Sequence, residues 1–128
     1  LELVENNFEN FSSKEKLIFL AGVFEGEGSL GNWNAGGFHK DGIPRKYFRI
    51  AVQMTDQDIV QRFANFFKMG TISVYNRKKD GKNYKTAYVW KLNSKPAIDA
   101  MLQLYPYLGI RRQEKFIQCY QYYQQLPH

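Results

Sequence analysis

The cleanest alternation in the chain runs from Arg45 to Met54, where Phe48, Ile50, Val52 and Met54 fall on one face and Arg45, Tyr47, Arg49 and Gln53 on the other. A period of two marks a half-buried strand, here with a polar and basic exposed face. Helical spacing flanks it. Ser12-Ser13-Lys14-Glu15 reads as a capping box, and the Leu17, Ile18, Leu20, Ala21 and Phe24 that follow predict a first helix, ended by the glycines of Glu25-Gly26-Glu27-Gly28. Ile59, Val60, Phe63, Phe66 and Phe67 predict a second helix, capped by Thr55-Asp56 and ended at Gly70. Ser29 to Trp33 predicts a short strand, and the glycines at 36, 37 and 42 a flexible connector after it. Thr71 to Tyr75 and Thr86 to Leu92 predict two further strands, joined by a turn rich in Arg77, Lys78, Lys79, Lys82 and Lys85. Ser94-Lys95-Pro96 starts a third helix, as proline in a first turn allows, Pro106 breaks it, and a last helix covers about 111–125. The order α-β-β-α-β-β-α-α predicts one α+β domain over residues 13–128, preceded by an acidic, Asn-rich lead-in over 1–12. Because the chain opens on Leu1, sequence upstream of it is expected.

Composition narrows the chemistry. At 128 residues and 44 % hydrophobic, the chain is long enough to bury a core without staples. One cysteine, Cys119, excludes an internal disulfide and a cysteine-clustered zinc site, and two histidines, His39 and His128, leave no His-rich metal centre. No apolar run approaches the roughly 18 residues of a membrane span, so the chain reads as a soluble intracellular domain, with organelle, bacterial and phage settings all open. The net charge is +6, unevenly spread: residues 1–30 hold two lysines against six acids, and the remainder sixteen bases against six acids. A basic body of this size attracts polyanions by its summed field, which nominates nucleic acid as a partner.

One stretch carries more than pattern: Leu20-Ala21-Gly22-Val23-Phe24-Glu25-Gly26-Glu27-Gly28-Ser29. Ala21, Gly22 and Gly26 give a helix face with almost no side chains, against which a second helix packs at backbone distance. Glu25 and Glu27 stand at its end. Two such helices side by side bring these carboxylates together, and converging carboxylates call for a divalent cation with oxygen ligands. The alternative is a tight contact within the chain that ends in solvated acids.

The stretch resembles the LAGLIDADG motif that defines a family of homing endonucleases. Leu20-Ala21-Gly22 and Gly28 match its letters, while Glu25 and Glu27 stand where aspartate is usual. The resemblance extends from about Lys14 to Pro127. Tyr105-Pro106-Tyr107-Leu108-Gly109-Ile110-Arg111-Arg112-Gln113 is similar to the family's segment leading into the last helix, and Gln53-Met54-Thr55 to the end of its second strand. It implies an αββαββα fold with a four-stranded antiparallel, saddle-shaped sheet. It further implies a site-specific endonuclease that makes a metal-dependent double-strand cut in a long, near-palindromic DNA target, with Mg²⁺ or another divalent cation as cofactor. A single motif implies a homodimer, with Ala21, Gly22, Glu25 and Gly26 at the interface; a second half-domain outside this sequence is the alternative.

By the same resemblance Glu27 is the metal ligand, with the Gly26 carbonyl as a further one. Arg111, by register, fills the place of a basic residue reaching the catalytic centre. Asp56 follows the second strand where a polar residue orders water, and a plain helix cap is the other reading of it. The DNA-reading surface comprises Trp33 on the first strand, Arg45, Tyr47, Arg49 and Gln53 on the second, Ser73, Tyr75 and Arg77 on the third, and Lys85 and Lys91 at the fourth. On that fourth strand, burying Tyr88, Trp90 and Leu92 sends Lys85, Val89 and Lys91 outward, whereas a gapless family register swaps the faces; the cost of an inward Lys91 favours the first. Two rival functions keep the same basic sheet: a maturase-like protein that grips intron RNA, and a catalytically inactive DNA-binding regulator.

Overall fold

The computed structural model describes residues 1–76, 78–79, 82–83 and 85–126, with 78–79 and 82–83 described at the level of backbone. Helix α1 spans Ser13–Glu27. The predicted capping box closes it: Ser12 Oγ accepts from the Glu15 amide at 3.1 Å, and Glu15 Oε1 accepts from the Ser12 amide at 2.9 Å. The helix runs through Gly26 and ends at Gly28, half a turn beyond the first glycine expected to stop it. Gly28 itself is required, since a Cβ there would stand 2.4 Å from the buried Phe24 ring.

Strands β1 (Gly28–Phe38) and β2 (Pro44–Met54) form an antiparallel hairpin. β1 runs five residues past the expected end at Trp33. An irregularity in pairing between Asn34 and Phe38, with Gly36 and Gly37 at φ of 84° and 73°, lets the supposed connector remain paired to β2. Helix α2 covers Gln57–Phe67. Its C-cap is Lys68, held in the left-handed region at φ 55°, so the helix stops two residues before Gly70. β3 (Thr71–Tyr75), the two-residue pair β4 (Lys78–Lys79) and β5 (Lys82–Asn83), and β6 (Ala87–Asn93) follow. Helix α3 covers Ser94–Leu104, Pro106 sits in a 3-10 turn over Tyr105–Tyr107, and α4 covers Ile110–Gln125.

The main sheet has the order β1-β2-β6-β3 and is antiparallel throughout. With four helices packed on one face, the chain is α+β, as the element order predicted. The core lies between Leu30, Phe48, Ile50, Val52, Trp90 and Leu92 of the sheet and Leu20, Phe24, Val60, Phe63, Met101, Leu104 and Phe116 of the helices. Full burial of each large side chain contributes roughly 1.5–3 kcal/mol. Trp90 anchors this layer. It is fully buried, stacks on Phe67, and its Nε1 donates to the Met69 carbonyl at 3.0 Å. That anchor decides the fourth strand's register: Trp90 pairs with Val52 and Ile72 on the helix side, and Lys91 faces out. Val89 shares the outer face yet is only 4 % exposed, because it lies between Gln53 and Ser73 on the two neighbouring strands.

The lead-in is more than a tail. Phe8, in a 3-10 turn over Phe8–Asn10, is buried against Phe11 and Phe19, and the Arg62 guanidinium of α2 lies 4.2 Å from its ring centre.

Candidate nucleic-acid interface and metal site

Pairing assigns every residue of the outer sheet face. Gly31, Arg49 and Asn93 form one row; Trp33 and Tyr47 lie beside it on one side, and Ser29, Ala51, Lys91 and Thr71 on the other; Gln53, Val89 and Ser73 come next, then Ala87 and Tyr75. The structure thus gathers Trp33, Tyr47, Arg49, Gln53, Ser73, Tyr75 and Lys91 on one surface, and Arg45 continues it along β2. No acidic residue occupies this face among the described residues, so Arg45, Arg49 and Lys91 give it an uncompensated positive charge. Lys91 Nζ donates to Tyr75 Oη at 3.1 Å, which orders both side chains across β6 and β3. Trp33, Arg49, Ala51, Gln53, Tyr75, Asn76, Val89 and Lys91 line a depression of about 340 Å³ on it. Arg77 lies outside the described residues.

At the end of the same sheet, next to the C-terminus of α1, Glu27, Gln53, Met54, Thr55, Asp56, Lys85 and Ala87 line a cleft of about 500 Å³. Glu27 is the last residue of α1 and is exposed. The negative end of the helix dipole adds to its charge, and Gly26 belongs to the last turn, whose carbonyls have no intrahelical partner. Asp56 is the N-cap of α2, but its side chain makes no capping hydrogen bond, which leaves the carboxylate available to the cleft. Glu27 and Asp56 offer only hard oxygen donors, which suit Mg²⁺ or Ca²⁺. Among the described residues no three His, Cys, Asp or Glu side chains cluster where they could hold a metal ion. Lys85, expected on the DNA-reading surface, lines this cleft together with Gln53 of that surface.

Glu25 does something else. Its Oε2 accepts from the Gly109 amide at 3.1 Å and stands 3.8 Å from Arg112 Nε, which donates to the Glu25 carbonyl at 2.9 Å. These contacts bind the tip of α1 to the start of α4 within one chain. A Cβ on Gly109 would come within 2.8 Å of Glu25 Oε1, so a larger residue there would push the carboxylate aside. Burial pushes the Arg112 guanidinium below its ordinary value, and the Glu25 charge works against that shift. Of the two arginines, Arg112 is thus the internal tether, while Arg111, one residue earlier, is exposed.

The expected interface residues divide in the same way. Ala21 is fully buried in its own chain's core and has no surface to offer a partner, and the Glu25 side chain is engaged by α4. Gly22 and Gly26 are exposed, and a Cβ on either meets nothing within 4 Å. Sequence reasoning passed over Asn93, Gly109 and the cleft position of Lys85. An Arg-Arg pair behind a glycine was the only signal for the tether, and nothing local announced the other contacts.

No protein-family model and no curated protein sequence matches the chain. Solved structures do match its fold. The homing endonuclease I-CvuI, in complex with its target in the presence of 2 mM Ca, superposes with a TM-score of 0.68 at 17 % identity over 95 % of this chain and 72 % of that one. The archaeal intron-encoded homing endonuclease I-Vdi141I, complexed with DNA, gives 0.63 at 16 % identity over 88 % and 69 %. The group I intron-encoded homing endonuclease I-CeuI, also complexed with DNA, gives 0.64 at 17 % identity over 96 % and 57 %. An antiparallel β1-β2-β6-β3 sheet backed by four helices, with the glycine-bearing end of α1 beside its edge, is thus the LAGLIDADG homing-endonuclease fold, and this chain has it.

Proposed function

We propose that this chain is one protomer of a homodimeric, site-specific DNA endonuclease that cuts both strands of a near-palindromic duplex by metal-dependent hydrolysis. The observation that carries this reading is the cleft holding Glu27 and Asp56 at the end of a basic, acid-free sheet face. The DNA-bound homing endonucleases that share the fold support the choice of duplex DNA as partner.

The bare Gly22 and Gly26 positions on the outside of α1 fit a second α1 across a two-fold axis. Such packing sets two Glu27 carboxylates close together and completes an oxygen-donor set that one chain lacks, with the Gly26 carbonyl as a further donor. A divalent cation bound there, Mg²⁺ in the first instance, would lower the pKa of water and stabilise negative charge on a phosphodiester oxygen. Glu27 would hold the cation, and Asp56 would accept a hydrogen bond from the attacking water. That water's oxygen bonds to phosphorus, its proton passes to solvent, and the bond from phosphorus to the leaving sugar oxygen breaks as that oxygen takes up a proton. Arg111 offsets the charge that develops on the phosphate. It stands in the same turn as Arg112, which is bonded to Glu25 two residues before Glu27. The outer face, with Trp33, Arg45, Tyr47, Arg49, Gln53, Ser73, Tyr75 and Lys91, lies in the major groove.

Cleavage selection tests this. The protein is incubated with a randomised palindromic duplex library in Mg²⁺, beside Glu27→Gln and a chelator control, and the cut ends are sequenced. Recurrent sites that vanish in both controls are expected. Equal cutting by Glu27→Gln overturns the site; enrichment of bound duplexes without any cutting replaces the enzyme by a DNA-binding regulator.

A further inference from the structure

Arg49 is the most constrained cation on the outer face. It occupies the middle of β2, one of the two central strands, and its Nε donates to Asn93 Oδ1 on β6 at 2.9 Å. Its guanidinium carbon lies 5.0 Å from the Tyr47 ring centre and 5.8 Å from that of Trp33. Gly31, paired with Arg49 across the β1-β2 ladder, makes room for this arrangement: a Cβ there would stand 2.9 Å from Trp33 Cζ3, so the indole occupies the space next to the arginine that a side chain would fill. Arg49 forms no ion pair among the described residues.

Asn93 is the N-cap of α3, a position where asparagine ordinarily accepts from the helix's first free amides. Its side chain makes no such capping bond, and its Oδ1 is directed at Arg49. With Nε engaged and the Tyr47 and Trp33 rings close by, the donors left to Arg49 are those of Nη1 and Nη2. That end-on fork matches the O6 and N7 acceptors of guanine in a major groove. Part of the rotamer freedom that a solvated arginine surrenders on binding is here already restricted in the folded chain.

We propose that Arg49 is a pre-set guanine reader and that Asn93 is its positioning residue. The proposal rests on the duplex-DNA reading above and adds a base and a residue to it. A phosphate contact by Arg49 is disfavoured by its place at the centre of the sheet, whereas phosphates meet the rims of a surface laid in a groove.

The test is binding, measured in Ca²⁺ with wild-type protein, Arg49→Ala, Asn93→Ala, Asn93→Asp and the double alanine variant. The probes are a duplex selected from a randomised library by wild type and its single base-pair substitutions. Wild type is expected to prefer G·C at one position in each half-site, on the order of tenfold. Arg49→Ala abolishes that preference and leaves the others intact. Asn93→Ala weakens the preference at the same position, Asn93→Asp retains it because an acceptor remains, and the double variant behaves as Arg49→Ala alone. Uniform loss of affinity in Arg49→Ala, with the salt dependence reduced by about one unit of slope, makes Arg49 a phosphate contact and overturns the proposal. An Asn93→Ala profile equal to wild type, or an Asn93→Asp variant as impaired as the alanine, removes Asn93 from it. Failure of wild type to enrich any duplex overturns the DNA reading itself, and this proposal with it.

Discussion

The tether between α1 and α4 makes a quantitative prediction, because the two contacts that Arg112 makes in it differ in strength. Arg112 Nε donates to the Glu25 carbonyl at 2.9 Å, and the same nitrogen stands 3.8 Å from the Glu25 carboxylate. A charged donor bonded to one of the last carbonyls of a helix contributes about 1.5–3 kcal/mol. The ion pair has a gross Coulomb energy of about 4 kcal/mol at an effective dielectric constant of 20. The Glu25 side chain is 40 % exposed, however, so water and side-chain entropy reduce the net to about 1 kcal/mol or less. The carbonyl bond therefore dominates. Arg112→Ala is expected to cost about 3 kcal/mol, including lost cover over Phe24, whose ring centre lies 5.4 Å from the guanidinium. Glu25→Gln is expected to cost about 1 kcal/mol, since its amide oxygen still accepts from Gly109. Urea unfolding at fixed protein concentration separates the two. With a slope of about 1–3 kcal/mol per M, the midpoint falls by about 1–3 M for Arg112→Ala and by 1 M or less for Glu25→Gln. If Glu25→Gln costs as much as Arg112→Ala, the ion pair holds α4 to α1 and the reasoning is wrong.

Two further substitutions probe other parts of the fold. Gly28→Ala places a methyl 2.4 Å from the Phe24 ring, a fully buried side chain with nowhere to move, and should destabilise by about 1–3 kcal/mol in the same urea assay; a wild-type midpoint refutes the contact. The Glu15 carboxyl is held below the usual carboxylate range, chiefly by the Ser12 amide and then by its hydroxyl. A depressed folded pKa stabilises fully above the unfolded carboxylate pKa, and the contribution is lost as pH falls through the folded value. Thermal melts from pH 6 downward should therefore show a shallower acid-side decline for Glu15→Gln than for wild type, and parallel declines would exclude the linkage.

Local signals accounted for the elements. The capping box at Ser12 and Glu15, the alternation of β2 and the helical spacing of α2 each rest on neighbours a few residues apart, and each is present in the folded chain. The glycine face of α1 and the exposed acid at its end were legible too, because motif spacing places them without knowledge of the rest. Boundaries were less so: β1 extends to Phe38 because β2 offers it a paired edge, a partner no local pattern reveals.

What only the tertiary structure decided are contacts made at long range. Ala21 and Gly22 are adjacent in the motif, yet helical rotation buries one in the core and leaves the other bare. Glu25 and Glu27 are two residues apart and chemically alike, yet Arg112 and Gly109, more than eighty residues on, claim one and leave the other facing a cleft. Asn93 has the sequence of an ordinary helix cap and becomes a partner of Arg49 because β2 and β6 lie side by side. Sequence determined which side chains could form a cation site or a basic reading face; packing and strand register determined which of them were left free to do so.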